Sequence, residues 1–173
     1  MNWSMATIYD AAGKTCWITV TEEHSTRTLL LDGCEEGAMN LYSEEPIFAY
    51  LWFHKCSHLA ESSIRKALVL GVGAFTAAKC LAMDYPNADI DAVDLEPDLE
   101  IVAHKFFRMD KPGFSRIRFH GMPAEEFLKT ARSEAYNFIF DDLFDGFQHV
   151  PDEALSPDHL RQLRSGLAPA AFA

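Results

Sequence analysis

Lys66-Ala-Leu-Val-Leu-Gly-Val-Gly73 is an apolar run of strand length that ends on two glycines, and the rhythm it opens repeats downstream. Ala74 to Tyr85 reads as a helix. Asp89-Ile-Asp-Ala-Val-Asp-Leu95 is a second strand, followed by a helix from Pro97 to Phe107 with proline near its start. Arg116-Ile-Arg-Phe-His120 reads as a third strand, Ala124 to Ala131 as a third helix, and Tyr136-Asn-Phe-Ile-Phe140 as a fourth strand running straight into Asp141-Asp142. Strands alternating with helices at this spacing predict an α/β fold: a parallel sheet wound with right-handed crossovers. Function is then expected at the carboxyl ends of the strands.

Upstream the rhythm is different. Thr15-Cys-Trp-Ile-Thr-Val20 and Arg27-Thr-Leu-Leu-Leu31, separated by a polar turn and closed by Asp32-Gly33, read as a small β-hairpin. Ser43-Glu-Glu-Pro46 has the hydroxyl, acids and early proline of a helix start, and the helix it opens should end near Ala60. The expected organisation is a hairpin and connecting helix over residues 1–60, then an α/β domain over residues 61–173. Leu167 to Ala173 reads as the loop into a fifth strand, with the later strands of such a sheet missing. That predicts an open edge belonging to a fragment, or covered by a second copy in a homodimer.

Composition bounds the partners. The 173 residues include 15 Lys and Arg against 26 Asp and Glu, a formal net charge of −11, which opposes phosphate backbones and anionic lipids and favours cationic ligands. Nucleic acid and membrane are therefore not expected as partners. No apolar run approaches the ~20 residues of a membrane span, and the first ten residues lack the pattern of a signal peptide, so the chain reads as cytoplasmic. The four cysteines show no C-x-x-C spacing. His54 and His58 share a helix face but have no third ligand nearby, so they read as packing residues and no metal is expected. Neither G-x-S-x-G nor G-x-x-x-x-G-K occurs, which removes the usual hydrolase and kinase readings.

Two groups of residues carry chemistry. Gly71 and Gly73 after the first strand, with Asp94 at the end of the second, have the spacing of a nucleoside site: glycines admit close backbone approach and the acid takes ribose hydroxyls. Asp141, Asp142 and Asp145 follow the fourth strand on the same rim, where acids can bind a cation, bind an amine or act as a general base.

Taken in order, Leu30-Leu-Asp-Gly33, the helix with Tyr50, Ala67 to Gly73, Val93-Asp-Leu-Glu-Pro97, Phe119-His-Gly121 with Glu126-Phe-Leu128, and Phe138-Ile-Phe-Asp-Asp142 through Asp145 resemble the spermidine synthase family. Many of these pieces are shared with class I methyltransferases; the L-D-G hairpin and the D-x-x-D rim are more specific. The resemblance implies a Rossmann-like, class I methyltransferase-like domain behind a small β region. It also implies transfer of an aminopropyl group from decarboxylated S-adenosylmethionine to a small cationic amine such as putrescine. Carried over residue by residue, it implies Asp142 as the catalytic base, Asp145 and Tyr50 on the substrate side, and Gly71, Gly73 and Asp94 on the cofactor side; Glu36, where the family has glutamine, is a further substrate-side candidate and Asp141 a further cofactor-side one, and no metal is expected.

The sequence departs from that family at several places. Ala74 stands where the glycine turn carries an acid, Leu51 and Trp52 follow the tyrosine in place of histidine and glutamate, and Met122 or Pro123 replaces an aspartate. These departures keep two other readings open: a methyltransferase using intact S-adenosylmethionine, and a non-catalytic binding or assembly module of the same fold.

Overall fold

The computed structural model of the chain describes residues 5–60, 63–144 and 149–169. Strands β5 (Lys66–Leu70), β6 (Asp89–Asp94), β7 (Ile117–Gly121) and β8 (Phe138–Asp141) form a parallel sheet in the order β7-β6-β5-β8. Along β5 the side chains alternate: Ala67 and Val69 enter one apolar core, Leu68 and Leu70 the other. The first core takes in helices α2 (Thr76–Asp84) and α3 (Leu99–Phe106); the second takes in α4 (Ala124–Thr130) and Leu163 of α5 (Pro157–Gly166). Helices therefore cover both faces, which is why β5 reads as an unbroken apolar run. The chain leaves β5 toward β6 on one side and returns as β8 on the other, so the crevice at their carboxyl ends is the switch point of the sheet.

The upstream region is larger than the sequence indicated. The expected hairpin is present as β2 (Trp17–Glu23) and β3 (Thr26–Leu31), but β1 (Ala6–Ala12) and β4 (Cys34–Asn40) flank it in a four-stranded antiparallel sheet. Asp32 and Gly33 both have positive φ, as a two-residue hairpin turn requires. The helix expected from Ser43 begins later. Pro46 bridges to Met39, Glu44 is held by Lys79, Arg108 and Lys111, and a 3-10 helix starts only at Ala49, passing at Ser57 into the short α1 (Ser57–Ala60). Pairing and ion contacts draw the capping-like segment into extended backbone. His54 and His58 both lie 3.3 Å from the Asp84 carboxylate, so they fasten this segment to α2. Beyond α5, which the sequence did not suggest, Leu167 makes a parallel bridge to Tyr136.

One buried carboxylate ties the two sheets together. Glu96 is 1% exposed and accepts hydrogen bonds from the backbone N–H groups of Lys14, Thr15 and Cys16, from the Thr15 hydroxyl and from Asp98 N–H. A Cβ at Gly13 would stand 2.8 Å from its Oε2, so the β1–β2 turn is shaped to receive it. Burial alone would raise its pKa; the N–H of Asp98 and the N–H and hydroxyl of Thr15 overcome this and bring it down to about 2. No helix among the described residues is long and apolar enough to cross a membrane.

Glu96→Ala strands several buried donors and should lower the unfolding free energy at pH 7 by about 3 kcal/mol or more, read by urea denaturation. Because the folded pKa is depressed below its ordinary 4.5, the stability Glu96 contributes is complete above that value and is lost as pH falls through about 2. Wild-type protein should weaken across that window, and the alanine variant should lack this component.

Candidate active site

The carboxyl end of β5 turns through Gly71-Val-Gly73, and Asp94 closes on this turn from the end of β6. Its Oδ2 accepts the Val72 N–H at 2.9 Å and the Gly73 N–H at 3.4 Å, while Oδ1 accepts the Glu96 N–H at 3.2 Å. Burial raises the Asp94 pKa, and these backbone bonds hold the rise back. The two glycines have positive φ, +74° and +45°, but the reason they must be glycine lies in the chain itself. A Cβ on Gly71 would meet the Asp142 carbonyl oxygen at 2.1 Å, and one on Gly73 would meet the Glu36 carbonyl oxygen at 2.2 Å. The turn is pinched between the end of β8 and β4 of the other sheet.

That pinch gathers the site. A cavity of about 310 Å³ opens at the junction, and Glu36, Tyr50, Gly71, Gly73, Asp94 and Asp142 all line it. The 3-10 helix brings Tyr50, whose hydroxyl hydrogen-bonds the Asp142 carboxylate. Burial first, and then the neighbouring charge of Asp141, raises the Asp142 pKa to about 6 against the lowering effect of the Tyr50 bond. Burial and the Asp142 carboxylate push the Tyr50 hydroxyl up, so it stays a neutral donor.

Asp141 faces elsewhere. Side chains alternate at the end of a strand, and Asp141 turns toward α5, where its Oδ2 lies 2.8 Å from Nε2 of the buried His159. It does not line the cavity. Asp145 lies outside the described residues.

Sequence reasoning did not foresee Thr15 and Cys16, which reach the cavity from the β1–β2 turn, or Asp32 as a lining residue. Glu96, two positions after Asp94, was the available signal, since an acid at the start of the crossover needs partners once it is buried. Four carboxylates line the cavity, those of Asp32, Glu36, Asp94 and Asp142, and no Lys, Arg or His does so among the described residues. Nor do the described residues bring three metal-ligating side chains together. The arrangement can hold a cation, and it offers one carboxylate that ionises near neutral pH beside a phenolic donor.

Gly71→Ala forces a methyl group against the Asp142 carbonyl, which must move and carry its carboxylate away from the Tyr50 hydroxyl. The substitution should cost about 2 kcal/mol or more, seen as a lower melting temperature in thermal unfolding, and tyrosine absorbance titration should show Tyr50 ionising at lower pH than in wild type.

No family model matches the chain. A polyamine aminopropyltransferase of Vibrio vulnificus (strain CMCP6) is 24% identical over 123 residues, covering 70% of this chain and 40% of that protein. Among solved structures, a probable spermidine synthase from Corynebacterium glutamicum ATCC 13032 superposes with a TM-score of 0.80 at 19% identity, over 93% of this chain and 60% of the other. A spermidine synthase in complex with the transition state analogue AdoDATO gives a TM-score of 0.74 at 13% identity, over 96% of this chain and 56% of the other. The chain thus spans between two fifths and three fifths of the length of these relatives. At these identities the likeness is one of fold, and the chain has the fold of the spermidine synthases.

Proposed function

We propose that the cavity binds the adenosyl sulfonium of decarboxylated S-adenosylmethionine and that the protein passes its aminopropyl group to an amine. The observation that carries this reading is the lining of four carboxylates without a cationic side chain among the described residues. A sulfonium with an ammonium tail complements that lining. Intact S-adenosylmethionine would add a carboxylate of its own to it, and methyl transfer is the weaker reading for that reason.

In this proposal Asp94 closes the ribose end of the site; its carboxylate already takes the N–H bonds of Val72, Gly73 and Glu96, so at most one of its roughly four acceptor sites is left for a ribose hydroxyl. The acceptor amine arrives as an ammonium beside Asp142. Asp142 removes its proton, the freed nitrogen lone pair attacks the propyl carbon on sulfur, and the C–S bond breaks with its electrons going to sulfur. Methylthioadenosine leaves as a neutral thioether. Tyr50 orients the base, and the pKa of about 6 leaves Asp142 ionised at pH 7 while keeping it more basic than an ordinary carboxylate. The four described cysteines are unbridged, which suits the reducing conditions of the cytoplasm.

Asp142→Asn should reduce methylthioadenosine formation from decarboxylated S-adenosylmethionine and putrescine by at least about 100-fold while sparing cofactor binding. In wild-type protein, kcat/KM should fall about tenfold per unit as pH drops below about 6, because the base is protonated there. Turnover by the asparagine variant equal to wild type, or a profile flat from pH 7 to pH 5, would remove Asp142 from this role.

A further inference from the structure

The strand end that supplies Asp142 carries a second carboxylate, and the chemistry proposed above leaves it without a part. Asp141 and Asp142 are consecutive at the end of β8, where strand alternation sends side chains to opposite faces. Asp142 enters the cavity, while Asp141 ends 2.8 Å from Nε2 of His159 on α5. His159 is 3% exposed, and its backbone is fixed at the first turn of α5, where its N–H donates to the Ser156 hydroxyl oxygen that caps the helix.

The protonation of this ring follows from its partners. The Asp141 carboxylate only accepts, so Nε2 carries the hydrogen. Nδ1 is buried without a hydrogen-bond partner among the described residues, and a second N–H there would have no acceptor. The ring is therefore neutral, with its single hydrogen on Nε2. A neutral donor anchors the Asp141 carboxylate without cancelling its charge. Among the described residues no other ion pair reaches either side chain, and α4, packed beside α5, meets it in the apolar core around Leu128 and Leu163. Asp142 thus keeps a negative charge one residue behind it. Its other titratable neighbours are the Tyr50 hydroxyl from the 3-10 helix and, around the cavity, Asp32, Glu36 and Asp94.

We propose that His159 and Asp141 are a positioning pair behind the base: His159 holds the Asp141 carboxylate on the far face of β8, out of the cavity and still charged, so that Asp142 takes up the ammonium proton against a fixed negative neighbour. The pair touches neither donor nor acceptor, and the inference rests on the reading of Asp142 as the base. A like charge on the next residue favours the protonated form of a carboxyl group. When the proton passes from the ammonium nitrogen to Asp142, the charge on Asp142 is neutralised and its repulsion with Asp141 disappears. Asp141 therefore favours the transfer, and from outside the cavity it does so without competing for the ammonium.

Carbon NMR of the whole chain with isotope-labelled aspartate carboxyls tests the pair without requiring turnover, and Asp142→Asn identifies the Asp142 resonance. In wild-type protein that resonance should titrate at about pH 6. Asp141→Asn keeps an oxygen for the Nε2 hydrogen bond and removes the charge, so it should lower the Asp142 midpoint by about half a unit or more. A pair with a structural role alone would leave the midpoint in place, because the amide preserves the contact. Nitrogen NMR of wild-type protein at pH 7, with His159 assigned through His159→Gln, should show its hydrogen on Nε2 alone. An unchanged or higher midpoint in Asp141→Asn, or a doubly protonated His159, overturns the proposal. Should the asparagine variant not fold, the His159 spectrum decides it. In turnover assays the acid limb of kcat/KM should move down with the carboxyl midpoint; a limb that stays in place while the midpoint falls counts against Asp142 as the base and not against the pair.

Discussion

Two backbone carbonyls closing on a turn without side chains is the constraint on which the site depends. The Asp142 oxygen occupies the place of a Cβ at Gly71, and the Glu36 oxygen occupies the place of one at Gly73. The glycines thereby set the separation of three elements: the end of β5, the end of β8 and strand β4. Each flanking element delivers a carboxylate to the cavity once it is held there, Asp142 from the end of β8 and Glu36 from β4. Gly37 extends the same logic, since its missing side chain lets Ala74 approach β4. The Glu96 clamp completes the junction by drawing the β1–β2 turn down onto the start of the second crossover. A turn usually explained by the approach of a ligand is thus explained first by the approach of the protein to itself.

The electrostatic consequence follows from that geometry. Carboxylates crowded into a partly dry space repel one another and lose hydration, and the chain responds in two ways. Glu96 is surrounded by donors and stays strongly acidic, so it holds structure. Asp142 is buried beside the charge of Asp141 with the Tyr50 hydroxyl alone to lower it, so its proton is held up to about pH 6. Two acids within one junction therefore take different roles because of the number of donors each is given. The overall charge of −11 acts at longer range and favours the arrival of cations.

The alternation of strand and helix from Lys66 onward was legible because β5, covered on both faces, shows as an apolar run and the later strands keep apolar residues between helical stretches. The place of Asp94 and Asp142 on the cavity wall was legible because both stand at carboxyl ends of parallel strands, which an α/β sheet gathers on one rim. What escaped the sequence depends on contacts between distant segments. β4, with Glu35 and Gly37 along it, has little strand propensity and forms because β3 pairs with it and Ala74 packs on it. Ser43 to Pro46 has helix-start residues, yet Glu44 is engaged by three cations from α2 and the region after α3. His159 gave no local signal of its partnership with Asp141, and the departure of that acid from the cavity follows from strand alternation only once the end of β8 is fixed.

A junction lined by four carboxylates, with no cationic side chain among the described residues, sets a donor without a carboxylate apart from one that carries it. Calorimetric titration of the purified chain with decarboxylated and with intact S-adenosylmethionine, under one buffer and salt, measures this directly. The decarboxylated form should bind at least tenfold tighter, a difference of about 1.4 kcal/mol. Equal affinity, or tighter binding of the intact form, would contradict the assignment of the junction as a cation site.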